Sequence, residues 1–179
     1  MPVILWRLSR DAEMYVTDVV DKETRSRMMS GIRAKNTTPE LILRRALHSK
    51  GFRYRLHSSK LPGTPDMVFQ KYRAVIFVHG CFWHAHDCKY FKLPRSRTEF
   101  WQTKLLKNRA RDETVLANTR KLGWRVLIVW ECATREFHTR ESSALIETIA
   151  QWVISKIPSA EIGIDGKLRT LVVSADSDT

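Results

Sequence analysis

The sequence predicts a single α/β domain built on a mixed central sheet flanked by helices, and three observations lead there. Two short β-branched apolar runs, Ala74-Val75-Ile76-Phe77-Val78 and Val126-Leu127-Ile128-Val129-Trp130, are continuously hydrophobic, as central strands buried on both faces are. Helix-compatible stretches separate the strand-like ones, the pattern of a mixed sheet with helices on both sides. A chain of 179 residues, 43% hydrophobic with six Trp, has the material for one core and too little for a second full domain.

Taken in order, residues 1 to about 18 read as a loose, disordered N-terminal extension, residues 19–157 as the domain, and residues 158–179 as a C-terminal tail. Lys22 to Ala34 is basic and helix-compatible. Thr38-Pro39-Glu40 reads as N-cap, first-turn proline and first-turn acid of a helix that runs to about Lys50, where Gly51 stops it. Phe52, Tyr54 and Leu56 alternate with polar residues as in a half-buried strand. Leu61-Pro62-Gly63-Thr64-Pro65-Asp66 is a turn that delivers Asp66 to the start of a strand, Met67-Val68-Phe69. Ser96 to Leu122 reads as one long helix, with Ser96 and Glu99 as a capping box and Gly123 as its stop. Glu141 to Lys156 is another, carrying Leu145, Ile149 and Trp152 on one face.

The balance of 31 Lys and Arg against 19 Asp and Glu, a net charge of +12, favours a polyanionic partner through counterion release. Nucleic acid ranks first and an anionic membrane surface second. No apolar run approaches the roughly 20 residues that span a bilayer, and the segment Met1 to Leu8 lacks the flanks of a signal peptide. A cytoplasmic protein with no membrane association is expected. Three cysteines, an odd set for a reducing compartment, argue against a disulfide framework.

Chemistry concentrates in His79-Gly80-Cys81-Phe82-Trp83-His84-Ala85-His86-Asp87-Cys88, where three histidines and two cysteines fall in ten residues. Thiolate and imidazole are the preferred ligands of zinc, and a tetrahedral set of Cys81, His86, Cys88 and Cys132 would use every cysteine. The spacing is no common finger signature, so three buried, inert cysteines stand beside that reading. Asp66 is a second feature. Phosphodiester hydrolysis needs a hard cation on oxygen ligands and a group that deprotonates water. Many nucleases carry Pro-Asp on one strand and Glu-x-Lys on the next, whereas here Phe77-Val78-His79 fills the second position. In a nuclease the Val78 carbonyl would replace the missing carboxylate, and His79 or His84 the lysine. Taken alone, Pro65-Asp66 is an ordinary solvated turn.

Four blocks together carry a more specific signal: Leu61-Pro62-Gly63-x-Pro65-Asp66, Val75-Ile76-Phe77-x-His79-Gly80-Cys81-Phe82-Trp83-His84, Arg97-Thr98-Glu99-Phe100-Trp101, and Gly123-Trp124-Arg125-Val126-Leu127-Ile128-Val129-Trp130-Glu131-Cys132. In this order, with Asp21-Lys22-x-Thr24-Arg25-Ser26 ahead of them, they resemble the successive motifs of the very-short-patch repair (Vsr) endonucleases over roughly residues 20–155. The resemblance implies a restriction-endonuclease-like fold for an endonuclease domain at 19–157. It implies a magnesium-dependent nick on the 5′ side of the thymine in a T:G mismatch, the product of deaminated 5-methylcytosine in double-stranded DNA. It assigns Mg2+ to Asp66 and the backbone carbonyl of Val78, and structural Zn2+ to Cys81, His86, Cys88 and Cys132. His84 becomes the general base, a task imidazole suits near neutral pH, with Asp112 orienting it. His79 would bind the phosphate or water of the metal shell, and Glu40 the hydrated metal. Phe82, Trp83 and Trp101 match aromatics wedged into the base stack, and Met29, with Arg25, Arg27 and Arg33, an N-terminal helix against DNA. Lys104, Lys107, Arg109 and Arg111 are backbone-contact candidates. A monomer located in the cytoplasm with the nucleoid is implied, linked functionally to a cytosine-5 DNA methyltransferase and to a mismatch-repair matchmaker protein. Ala85 and Asp87 depart from histidines of some members.

Without the resemblance, Glu40 reads as a first-turn acid favoured by the helix dipole, Asp112 as part of a solvated face, and the aromatics as core. Two rival functions stand beside the repair nuclease: a restriction-type or mobile-element nuclease of the same fold, and a non-catalytic zinc DNA-binding module. The second gives no use to Asp66, His79 and His84.

Overall fold

A computed structural model describes residues 23–24, 35–136 and 142–171. Glu23 and Thr24 are helical and belong to a separate unit, residues 1–32. The rest of the expected basic helix, with Met29, Arg25, Arg27 and Arg33, lies outside the described residues.

Within the larger unit the order is α1 (Thr38–Ser49), β1 (Met67–Phe69), β2 (Ala74–His79), α2 (Thr98–Lys121), β3 (Arg125–Trp130), α3 (Glu131–Glu136), α4 (Ser142–Ile154), β4 (Ala160–Ile162) and β5 (Leu168–Thr170). The five strands pair in sequence order. β1 runs antiparallel to β2, β2 and β4 run parallel to β3, and β5 runs antiparallel to β4. The sheet is therefore mixed, with the two long apolar strands well inside it.

The period of two along each strand divides the core between the faces. Ile76, Leu127, Val129 and Ile162 meet Leu43 and Leu47 of α1 and Leu145, Ile149 and Trp152 of α4. Val75, Phe77 and Val126 turn the other way and pack with Val115 and Leu116 of α2. Helices thus cover both faces, as expected. Arg125, at the start of β3, donates to the carbonyls of Trp152 and Val153, which gives partners to acceptors in the last turn of α4, and to that of Ile157 beyond it. No helix among the described residues is long and apolar enough to cross a membrane.

Four local expectations need correction. The N-cap of α1 is Thr37, and Thr38, read as the cap, is the first helical residue. Residues 52–56 form no strand: one bridge, Arg55 to Val68, links them to β1, and Leu56 is 46% exposed. Alternation persists at Phe52 and Tyr54 because both rings pack on Phe69, not because a ladder forms. Ser96 and Glu99 do not frame α2, whose N-cap is Arg97 in the left-handed region at φ 53°, with no hydrogen bond from its side chain to the cap. The boundary at residue 157 falls short, since β4 and β5 pair beyond it and Ala160 and Ile162 are fully buried. Short strands within a polar stretch carry too few residues for alternation to stand out. Ile162→Ala is expected to cost about 2–5 kcal/mol in urea unfolding; a residue of a loose tail would cost nothing measurable.

Candidate functional site

The parallel pairing of β2 and β3 sets His79 opposite Trp130, so both strands end at one edge. Beyond them, Cys81 in the loop and Cys132 in α3 meet, with the Cys132 N–H donating to Cys81 Sγ at 3.3 Å. The loop then reverses twice. His84 N–H and His86 N–H donate to the carbonyls of Gly80 and Cys81, and Ala85 takes a left-handed φ of 47°. As a result His84 faces α2 while His86 faces the sulfurs.

His86 Nδ1 lies 3.6 Å from Cys81 Sγ and 3.5 Å from Cys132 Sγ, and Cys88 completes a group whose ligand atoms all fall within 4.8 Å of one another. A tetrahedral centre with Zn–S of about 2.3 Å and Zn–N of about 2.0–2.1 Å requires S···N separations of about 3.5–3.6 Å. The two His86–sulfur distances match that geometry, and the four residues could hold a metal. Their sulfurs share protons: the Cys132 thiol and the His86 ring hold Cys81 down to about 4, and the same contact with Cys81 pushes Cys132 up.

On the other side of His84, its Nδ1 lies 2.5 Å from Asp112 Oδ2 on α2, and its ring stacks on His79 at 3.8 Å and 6°. Trp130 stands between the two groups. Its ring lies parallel to His86 at 4.0 Å and edge-on to His79 and His84, and its indole N–H donates to Glu161 of β4 at 2.9 Å. Burial first, and then His84, drives His79 down to about 3, so this ring is neutral.

Asp66 immediately precedes β1 and follows the Pro62-Gly63 turn. That turn presses so closely on α2 that a Cβ on Gly63 would come within 2.4 Å of Val115. Asp66 Oδ2 accepts the Val78 N–H at 2.8 Å. Glu40 and His57 converge on it, ligand atoms within 4.8 Å, so Asp66 also has the surroundings of a cation site. Burial, opposed by the Val78 N–H, raises Asp66 to about 6. Glu40, 3% exposed, accepts from the N–H groups of Asn36 and Thr37 and from Arg44. Burial and the Arg44 charge lower His57.

Phe82, Trp83 and Trp101 form one half-buried aromatic cluster, with ring centroids 5.2–6.2 Å apart. Lys104 Nζ sits 5.5 Å from the Trp83 ring and 5.7 Å from Trp101. Of the residues read from sequence, the fold brings together the four-residue Cys/His set, His79 with His84 and Asp112, Asp66 with Glu40, and the three aromatics. The sequence does not single out His57, Arg44 and Glu161, and it shows Trp130 only as part of a strand and a motif. Of the three, Arg44 carries a signal, four residues after Glu40 on the same helix face.

A family model described as DNA mismatch endonuclease Vsr matches residues 17–90. The chain is 45% identical over 151 residues to the DNA mismatch endonuclease Vsr of Escherichia coli (strain K12), covering 84% of this chain and 97% of that one. It is 47% identical over 127 residues to the Type II nicking enzyme V.XorIIP of Xanthomonas oryzae pv. oryzae, 71% of this chain and 93% of the relative. With the Type II nicking enzyme V.NmeAIP of Neisseria meningitidis serogroup A it shares 42% over 117 residues, 65% of this chain and 84% of the relative.

Because folding raises the Asp66 pKa, the stability tied to its neutral form is present at low pH and declines as pH rises through about 6. Asp66→Asn, free of magnesium and compared with the parent at equal zinc content, is expected to be about 1–3 kcal/mol more stable than the parent at pH 7.5 and equal to it near pH 4. Denaturant unfolding at both pH values checks this, and equal stability at pH 7.5 would contradict a desolvated carboxylate.

Proposed function

The chain belongs to the DNA mismatch endonuclease Vsr family, and we propose from that premise that it is a strand-nicking DNA endonuclease that cuts 5′ of the thymine in a T:G mismatch by magnesium-dependent hydrolysis. The observation that carries the reading is the His79–His84–Asp112 group standing beside Asp66 at the open end of β2. A non-catalytic binding module has no need of it.

Asp66 and the Val78 carbonyl would hold Mg2+, with Glu40 on the outer side of the hydrated ion. Bound there, the cation neutralises charge on the phosphate and acidifies water. The chain's own residues carry the proton. Asp112 accepts the Nδ1–H of His84, which fixes the tautomer and leaves Nε2 with a lone pair for the proton of the attacking water. His79, half-buried and neutral, stacks on His84 and restricts its rotation, and its ring N–H would donate to the scissile phosphate. The products would be a 3′-hydroxyl and a 5′-phosphate.

The Cys81, His86, Cys88 and Cys132 set is read as structural zinc. It is closed, with no position for substrate, and His86 transmits its rigidity to Trp130 and so to the histidine pair. Phe82, Trp83 and Trp101 are read as a wedge between base pairs. A mismatch lowers the cost of opening the stack, and Lys104 adds a cation next to the rings. The exposed Lys107, Arg109 and Arg111 continue the basic surface of α2 and supply phosphate contacts. A functional link to a cytosine-5 methyltransferase and to a matchmaker protein follows from the lesion proposed.

The test compares duplexes that differ only in T:G versus C:G, with and without magnesium, for the zinc-loaded parent, Asp66→Ala and His84→Gln. The T strand alone should be nicked, only in the mismatch and only with magnesium. Asp66→Ala should abolish cleavage, and His84→Gln should slow it about 10²–10⁴-fold with DNA affinity kept. Equal cutting of C:G would favour a restriction-type nuclease, and binding without cleavage a zinc DNA-binding module.

A further inference from the structure

A buried polar chain leads to Asp66 and is not used by the proton transfer above. Arg44, 5% exposed, donates from Nη1 to Asn36 Oδ1 at 2.6 Å and from Nη2 to Glu40 Oε2 at 2.6 Å. The same Nη2 lies 2.8 Å from His57 Nε2. A guanidinium offers donors only and does not lose its proton in proteins. The direction of this bond is therefore fixed: His57 Nε2 accepts, and the proton of the neutral ring sits on Nδ1. Nδ1 is the atom turned to Asp66, 3.7 Å from its Oδ1. The gap is a few tenths of an ångström beyond a hydrogen bond, and turning the carboxylate about χ2, a broad torsion, closes it. On its other side the carboxylate is held by the Val78 N–H at 2.8 Å.

The backbone gives a second, independent sign. His57 sits at φ 46°, in the left-handed region. Such a conformation costs of order 1 kcal/mol or more and persists where the surroundings over-determine it. Here what they fix is the position of the ring between Arg44 and Asp66.

We propose that Arg44 and His57 are positioning residues for Asp66: Arg44 locks His57 in the Nδ1–H tautomer, and His57 presents that N–H to Asp66 Oδ1, so that the carboxylate is held between two donors in the orientation a cation needs. The proposal rests on the reading of Asp66 as the magnesium ligand. It also removes His57 from the ligand set. With one ring nitrogen protonated and the other lone pair committed to Arg44, His57 has nothing to offer a metal, and the Glu40–His57–Asp66 group becomes an oxygen-only site. Such a site suits a hard cation and discriminates against the zinc held by the sulfurs nearby.

Two measurements on the full, zinc-loaded chain test it. The ¹⁵N shifts of the His57 ring should show Nδ1 protonated and Nε2 bare in the parent, and Arg44→Met should lose that single-tautomer pattern. Mn2+ binding, followed by electron paramagnetic resonance, should weaken about 10-fold in His57→Ala and in the shape-keeping His57→Phe. His57→Gln should stay close to the parent, because its amide can accept from Arg44 and donate to Asp66. Zinc content and DNA affinity should be unchanged in all three. A His57 ring protonated on Nε2 would overturn the proposal, as would parent-like Mn2+ binding in both His57→Ala and His57→Phe while Asp66→Ala loses it. Parent-like binding in Asp66→Ala would instead sink the reading of Asp66 as ligand, and the proposal with it.

Discussion

The register of β2 on β3 is the constraint from which the site follows. With His79 opposite Trp130, each strand needs only two more residues to bring Cys81 and Cys132 together, although 51 positions separate them in the chain. A slip of one residue would turn every side chain of β2 to the opposite face, sending Ile76 toward α2 and Phe77 toward α1 and α4. The apolar period of the strands therefore fixes the geometry of a Cys/His group, able to hold a metal, that lies beyond their ends. Burial of the core and assembly of the site are one event.

Three groups of side chains crowd that edge, each with a distinct chemistry. Soft sulfur and imidazole donors gather below Trp130, a stacked histidine pair with a carboxylate partner lies against its edge, and carboxylates with a buried guanidinium gather around Asp66. Trp130 keeps the first two apart while passing rigidity from one to the other. Its indole N–H is anchored by Glu161, so the fourth strand shapes the site without reaching it. The proposed division of labour, zinc for shape and magnesium for reaction, needs this separation, because the same histidines would otherwise be open to either metal.

Much of this was legible in the sequence, and the physical reasons differ by element. β2 and β3 announce themselves because strands buried on both faces are apolar throughout, and α4 because one face of it is. The Cys/His set could be named because few chemistries employ those residues at such density, and Asp112 and Glu40 only through resemblance, since a lone acid on a helix looks the same whether it orients a histidine or faces water. β4 and β5 were lost in a polar stretch where three-residue strands leave no period to read. His57 and Glu161 were invisible for a related reason: each acts through one partner distant in sequence, Arg44 or Trp130, and no spacing rule links them. Leu56 misled by continuing an alternation that ends at Tyr54, where contact with Phe69 ends.

Two metals of different character, in separate places at this edge of the sheet, are the core of the proposed function. Anomalous diffraction from crystals of the protein on T:G-mismatched DNA, measured at the zinc and manganese edges after soaking in Mn2+, tests it most directly. The account predicts one zinc peak among Cys81, His86, Cys88 and Cys132 and a distinct manganese peak against Asp66. A single shared site, or metal bound between His79, His84 and Asp112, would contradict it.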